Sequence, residues 1–461
     1  MRAHSWPAAL LAAGCLTGAA APAQSLAQSP SQAQVQTQVD EASGLSWRGE
    51  LQSSWREQAV NTRGPLVAAN RLAPGIAALP ESTWVNRAEL SGAWQGRGAA
   101  APYSVATKLA LEHSRAEHGG STTQARTNEF AASADWGVWQ ASAGKKIVAW
   151  DVGYAWRPND VVQQEQRRLL LPVTPEGRPV LMLEHFATES AATLVLVHPQ
   201  RVRDAGDGHR GPDEAALAGR WYQRVGSADW HGFARLGEHT GTSLGAALAW
   251  VASDELELHA SVRGLQRHDG LVNDAGAGEA LLRSSPVRIA TLGATQQWLL
   301  GGTWTGSEQQ SLLAELWHDG TAPSNGDWAA WQQRIGGLQS IGAQPTLRTP
   351  AAANLAWQAG ALGGSQATLI TTNLRQDNLY LRASWQPAAW QPFGLGGSWA
   401  LSADALYTPA DRGHAVGAGL QWQGDRWRID LAWRRYGGPA DALYAQLPMR
   451  TSGVLAATFA L

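Results

Sequence analysis

One stretch of the chain matches a catalytic signature letter for letter: Gly241-Thr242-Ser243-Leu244-Gly245, the spacing of a nucleophile elbow. An elbow needs a strand, a sharp turn and a helix to lift the serine oxygen clear of the backbone. Here the motif lies between two segments that both read as strands, so it carries no hydrolase. The 12 histidines are scattered, with neither H-x-H nor H-E-x-x-H, and a dedicated metal site needs donors brought together at such spacings. His113 and His118 flank one loop, where solvated histidines are the ordinary case. There is no Walker loop and no dinucleotide fingerprint. The sequence implies no catalytic residue, no metal and no cofactor; the chain is not read as an enzyme.

The remaining chemistry is charge. Arg48, Glu50, Arg56, Arg87, Glu89, Lys108, Glu112, Arg263, Arg382, Arg428, Asp430 and Arg434 all fall on the polar side of alternating segments. Charge inside a protein must be paired or hydrated. Around a wet lumen such a wall sets the field felt by a solute, with arginines favouring anions. Around a narrow lumen the same residues pair into a plug. A second concentration of charge is Gly144 to Arg168, GKKIVAWDVGYAWRPNDVVQQEQRR, which holds Asp151, Arg157, Asp160, Glu165, Arg167 and Arg168.

The elements that must position these residues are strands. Trp47, Leu51 and Trp55 share one face of a period-two pattern, with Arg48, Glu50, Gln52 and Arg56 on the other. Trp84, Ala88, Leu90 and Trp94 alternate with Arg87, Glu89 and Ser91. Trp427, Ile429, Leu431 and Trp433 alternate with Arg428, Asp430 and Arg434. A tilted transmembrane strand is about 9–11 residues long, close to the spacing from Trp47 to Trp55 and from Trp84 to Trp94. Tryptophan gathers at lipid–water interfaces, so Trp47, Trp55, Trp84, Trp94, Trp427 and Trp433 are candidate interface residues. A soluble sandwich would not bracket its apolar face in this way. The fold class expected is all-β, a transmembrane antiparallel β-barrel.

The connections agree with this. Gly96–Pro102, Trp136-Gly137, Thr188–Ser190, Gly226–Asp229 and Gly424-Asp425 are tight. Asn61–Glu81, Asp151–Pro179, Pro199–Pro212, Asp269–Pro286 and His318–Pro350 are long and rich in Pro, Gly and Asp. Short periplasmic turns facing long extracellular loops characterise outer-membrane barrels. A direct count gives nineteen strands. Reading Asn354–Ala361 as one more restores the even number that two termini at one end require, so the expected count is about 18–20, within a range of 16–20. Asp327–Gln339 reads as a short amphipathic helix, with Trp328, Trp331 and Ile335 on one side to cover the loop's own core. No repeat of 20–50 residues is present, which argues against a propeller.

Composition narrows the class. The chain has 461 residues, of which only 16% are charged, yet its mean hydropathy is −0.25. A strand with one face in lipid and one in water gives both figures. Tryptophan occurs 24 times against 5 phenylalanines and 7 tyrosines. The net charge of −2 points to no nucleic-acid partner, and a single cysteine leaves no disulfide. Residues 1–23 read as a secretory signal: Arg2 and His4, the apolar run Trp6–Ala21, then the cleavage site Ala21-Pro22-Ala23. Ala13-Gly14-Cys15 offers a competing lipoprotein signal. Residues 24–44 form a polar linker, and 45–461 a single barrel. After residue 30 the longest apolar run, Leu244–Ala252, is about half the ~18 residues of a spanning helix.

The Gly144–Arg168 segment resembles a pattern in proteobacterial outer-membrane barrels of the porin and alginate-export kind, through Gly144, Lys145, Trp150, Pro158, Asp160 and Val161. That resemblance implies a third long loop folded into the lumen, with Asp151, Arg157, Asp160, Glu165, Arg167 and Arg168 lining a constriction. The alternative is an external loop whose charges only hold its shape. The final segment, Met449–Leu461, resembles the C-terminal insertion signature of bacterial outer-membrane proteins, which implies the barrel-assembly machinery as a partner. It departs from that signature in ending on Leu461, with Phe459 two places earlier. The function expected is an outer-membrane channel passing small polar or anionic solutes by diffusion. The other reading is the barrel component of an export or surface-assembly system, with periplasmic partners and a polysaccharide or peptide as client. Outer-membrane lipid is a partner in both.

Overall fold

The structure is a computed structural model and describes residues 44–78, 81–98, 101–117, 119–164, 167–198, 214–273, 287–363, 373–388 and 390–461. The expected leader, Cys15, nearly all of the linker, His118 and Glu165 lie outside the described residues.

Alternation dictates strands, and the strands run β1 (Gly44–Val60), β2 (Ser82–Arg97), β3 (Pro102–Ala116), β4 (Ser121–Trp136), β5 (Trp139–Lys146), β6 (Arg178–Phe186), β7 (Ser190–Val197), β8 (Ala216–Val225), β9 (Ala228–Gly237) and β10 (Gly241–Val251). They continue with β11 (Leu256–Leu265), β12 (His268–Asn273), β13 (Val287–Leu292), β14 (Thr295–Thr305), β15 (Gln310–Asp319), β16 (Asp377–Trp385), β17 (Ser398–Thr408), β18 (Gly413–Gln423), β19 (Trp427–Gly437) and β20 (Met449–Ala460). Among the described residues the helices of two turns or more are α1 (Pro65–Leu72), α2 (Asn325–Ile341) and α3 (Arg348–Gly363), with a single helical turn at Leu443–Gln446 and a 3-10 turn at Pro392–Gly394. β12 and β13 form a separate hairpin. The other strands make one antiparallel sheet of 18, and β20 returns to β1, with Trp55 opposite Leu455 and Glu50 opposite Ala460, to close it. Closure removes the sheet edges, whose unpaired backbone groups lipid could not satisfy. Among the described residues no helix is long and apolar enough to cross a membrane; the fold crosses with strands.

The expected extra strand at Asn354–Ala361 is instead part of α3. That stretch is rich in alanine, the best helix former, and Pro350 sits in its first turn, where the missing N–H costs nothing. The even count comes from the 18 wall strands alone. The helix expected at Asp327–Gln339 forms as α2, begun by a capping box in which Ser324 accepts from the Asp327 amide and Asp327 accepts from the Ser324 amide.

Because β1 begins and β20 ends at the same rim, the barrel has two unlike ends. At the rim carrying Gly44 and Leu461 the connections 98–101, 137–138, 187–189, 226–227, 252–255, 306–309 and 424–426 are tight; only 386–397 is longer. Gly137 opens its two-residue turn at φ 68, a region glycine enters without a steric penalty. The other rim carries the longest connections, together with tight turns such as 238–240 and 409–412. Along the wall, Trp47, Trp55, Trp84, Trp94, Trp427 and Trp433 all point outward, 43–65% exposed. Trp55 lies directly opposite Trp84, and the Trp427 ring packs 4.9 Å from Phe459. So continuous an apolar exterior suits only a lipid solvent.

Candidate functional site: the lumen and its inserted loop

The segment 147–177, between β5 and β6, folds into the barrel and crosses it. Its first part packs Val148, Trp150, Val161 and Val162 against inward residues of β6 to β10, among them Val180, Met182, Val195 and Phe233. Further along, Leu171 packs against Val454 and Ala456 of β20, and Thr174 donates to Glu89 of β2 at 3.0 Å. β9 and β20 lie nine places apart in a ring of 18, so the loop reaches from one side of the lumen to the other.

Asp151, Arg157 and Asp160 are buried within this loop. Asp160 accepts the amides of Trp150 and Asp151 at 2.9 and 3.1 Å. Asp151 accepts the Asn159 amide at 2.6 Å and the Ser261 hydroxyl of β11 at 2.8 Å. Burial pushes the Asp151 carboxyl above its ordinary range, against the hydrogen bonds from Asn159, Ser261 and Val152. Arg157 donates to the Gly153 carbonyl at 2.7 Å. Arg167 donates to the Tyr154 carbonyl at 2.6 Å. Arg168 donates to Asn373 at 2.9 Å and lies 5.0 Å from the Trp317 ring centre, a cation–π distance.

The wall answers with its own charges. Glu315 on β15 accepts the amides of Tyr154 and Ala155 at 2.6 and 2.8 Å and meets His259 at 2.9 Å. Arg263 donates to the Pro158 carbonyl at 3.0 Å and Arg235 to that of Val161 at 2.8 Å. Gly245, the last residue of the G-x-S-x-G match, lies within β10, where a Cβ would collide with the Asn159 side chain. The motif's glycine is thus room for the loop, and Ser243 receives the Arg263 guanidinium at 2.9 Å.

A second core stands at the long-loop end. Ala68 and Ala69 of α1, Trp328, Trp331, Ile335 and Leu338 of α2, and Leu355 of α3 pack with Trp156 of the inserted loop. The wall supplies Leu299, Leu313, Trp317, Tyr380 and Leu406 to the same cluster. The apolar side of α2 therefore covers the barrel wall as well as its own loop. Leu443 and Tyr444 of the 438–448 connection join the cluster. Burial pushes the Tyr444 hydroxyl up to about 12. In the 409–412 turn, Asp411 accepts the Leu443 and Gly413 amides, the Thr408 hydroxyl and Arg375. Burial alone would raise its carboxyl, but these donors hold it below its ordinary range.

The ladder expected on the strands faces inward and divides in two. Half of it is in ion pairs: Arg87 and Arg126 meet Glu112, Lys108 meets Glu129 at 3.2 Å, Arg428 meets Asp430 at 2.9 Å, and Arg434 meets Asp404 at 3.1 Å. Glu50 stands opposite Glu89 across the β1–β2 pair. Arg48, Arg56 and Arg382 are exposed and have no ion-pair partner among the described residues. The anchors Arg126, Arg235, His259, Glu315, Asp404 and Asp411 do not stand out in the sequence. Strand alternation gives the direction of most of them, but Tyr154 and Glu315 are 161 residues apart, and no local pattern links them.

The sequence matches no protein-family model and no curated protein. Solved structures similar to it include OccAB1 of Acinetobacter baumannii, at 8% identity over 90% of this chain and 96% of that one, with a TM-score of 0.53. OccD3 (OpdP) of Pseudomonas aeruginosa is 10% identical over 91% of each chain, with a TM-score of 0.51. The likeness is one of fold, and the fold is that of a proteobacterial porin-like barrel.

Proposed function

We propose that this chain is an outer-membrane channel through which small polar or anionic solutes diffuse. On this reading residues 1–23 are removed near Ala23 on export, the assembly machinery reads the β20 end, and no residue is catalytic. The observation that carries the anion preference is the contrast within the ladder. Paired charges cancel one another at close range, whereas Arg48, Arg56 and Arg382 keep their field for a passing solute. Asp151, Arg157, Asp160, Arg167 and Arg168 act on this reading by fixing the loop that narrows the lumen. Reconstitution in a planar bilayer tests it: stable conductance steps with anion preference are expected, and Arg48→Glu with Arg382→Glu should move that preference toward cations. Steps of unchanged selectivity in the double variant would defeat the assignment.

One observation favours the second reading, an export or surface-assembly barrel. The long-loop mouth holds a continuous apolar core, the arrangement of a passage shut at rest. Its client would be an acidic polysaccharide or a peptide delivered by periplasmic partners. Absence of any conductance from correctly folded protein would favour it over the open channel.

A further inference from the structure

The connection between β16 and β17 breaks the rule of its rim. Four of the seven tight turns there carry charge, at Glu189, Asp254, Glu255, Glu308, Asp425 and Arg426, whereas residues 386–397, longer than any of them, contain none. Trp390 is 38% and Leu395 48% exposed. On β17, Trp399 belongs to the lipid-facing side, in register with outward Trp422. Yet it is only 7% exposed, because the Trp390 ring packs edge-on against it at 5.8 Å. The Trp422 indole donates to the Gly396 carbonyl at 2.7 Å. Residues 390–397 therefore run back over the outside of the barrel beside Trp399 and Trp422. Pro387 and Pro392 bring no amide donors, and the amides of Trp390, Gly394 and Leu395 are spent on the segment's own carbonyls. A segment that spends three of its amides internally, lacks charge and presents Trp and Leu outward suits the boundary between headgroups and acyl chains.

We infer that this connection is a membrane foot whose partner is the lipid interface of the leaflet at the tight-turn rim. The inference rests on the barrel spanning a bilayer, and its test separates the two. Nitroxides are placed at Leu395→Cys, at Trp390→Cys as a second foot site, at Ser307→Cys in a polar turn of the same rim, and at Leu431→Cys on the lipid-facing wall. All are made in a Cys15→Ser full chain and reconstituted in phosphatidylcholine vesicles. Collision with oxygen is expected to exceed collision with a water-soluble nickel chelate several-fold at both foot sites and at Leu431, and to fall below it at Ser307. Foot labels as accessible to nickel as Ser307, with Leu431 shielded, would overturn the foot alone. Nickel access at Leu431 as well would sink the transmembrane reading and the foot with it. Spin–spin broadening at Leu395 that disappears on dilution with unlabelled protein would assign the segment to a second copy and overturn the lipid assignment.

Discussion

Two regions of the interior use the same residue types in different ways. In the long-loop half, Asp151, Asp160, Arg263, Glu315 and Asp411 are consumed by backbone amides and carbonyls and by side chains such as Ser261, Ser243, His259 and Arg375, around two apolar cores. Toward the tight-turn rim, Arg48 and Arg382 face the lumen without ion-pair partners among the described residues. Both regions come from strands with one polar face. The difference is whether another segment of chain reaches that face with amides to donate. A buried carboxylate that collects two or three donors is a fastener, while an arginine left in water supplies field.

The largest effect that would break this contrast is loss of the packing that holds the mouth. Trp317→Ala removes a fully buried ring shared by wall, loop and helices, and should lower stability by about 3–5 kcal/mol. Thermal unfolding in detergent reads it, and an unchanged midpoint would show that the mouth is not a cooperative core. Next comes Asp151→Ala. It leaves the Asn159 amide and the Ser261 hydroxyl without their acceptor and should cost about 1–3 kcal/mol. It should also make 147–177 cleavable by protease while the wall stays resistant; a loop that remains protected would mean that apolar contact alone holds it.

The pH response sharpens the contrast further, because Asp151 and Asp411 shift in opposite directions. Asp411 is held below its ordinary value of 3.8, so its contribution is present above that value and is lost as pH falls through the lower folded value. Asp151 is raised above 3.8, so its contribution is fully present below 3.8 and is lost as pH rises through the higher folded value. Melting midpoints of Asp411→Asn and Asp151→Asn against the parent should therefore converge at acid pH for the first and diverge in the opposite sense for the second. Parallel pH profiles would contradict these assignments. The smallest effect on stability is expected at Arg382→Glu, within about 0.5 kcal/mol as for a surface change, although this is a position where selectivity should respond. A strongly destabilised Arg382→Glu would place that residue among the fasteners.

Much of the architecture was legible because a barrel strand is a local object. Alternation alone gave the inward direction of Arg87 or Arg434 and the outward direction of Trp47 and Trp55. The tight connections read from Gly and Asp all fall at one rim and the long ones at the other. Asn354–Ala361 was misread because evenness was imposed by counting, although its alanines favour a helix. The candidate site was legible only in part. The Gly144–Arg168 stretch stood out as distinctive, but its charges serve the loop's own backbone, Ser261 of β11, Trp317 of β15 and Asn373, the last three linked to it by no spacing.

By itself the sequence determined a two-faced strand and the rim at which each connection lies, since both depend on neighbours within about ten residues. It also determined that the tryptophans bracketing those strands point outward, because side-chain type and period suffice for that. Only the tertiary structure decided which charges remain available to a solute. Glu315 is engaged because a loop 161 and 160 residues away brings the Tyr154 and Ala155 amides to the wall, and that approach is set by closure of the ring.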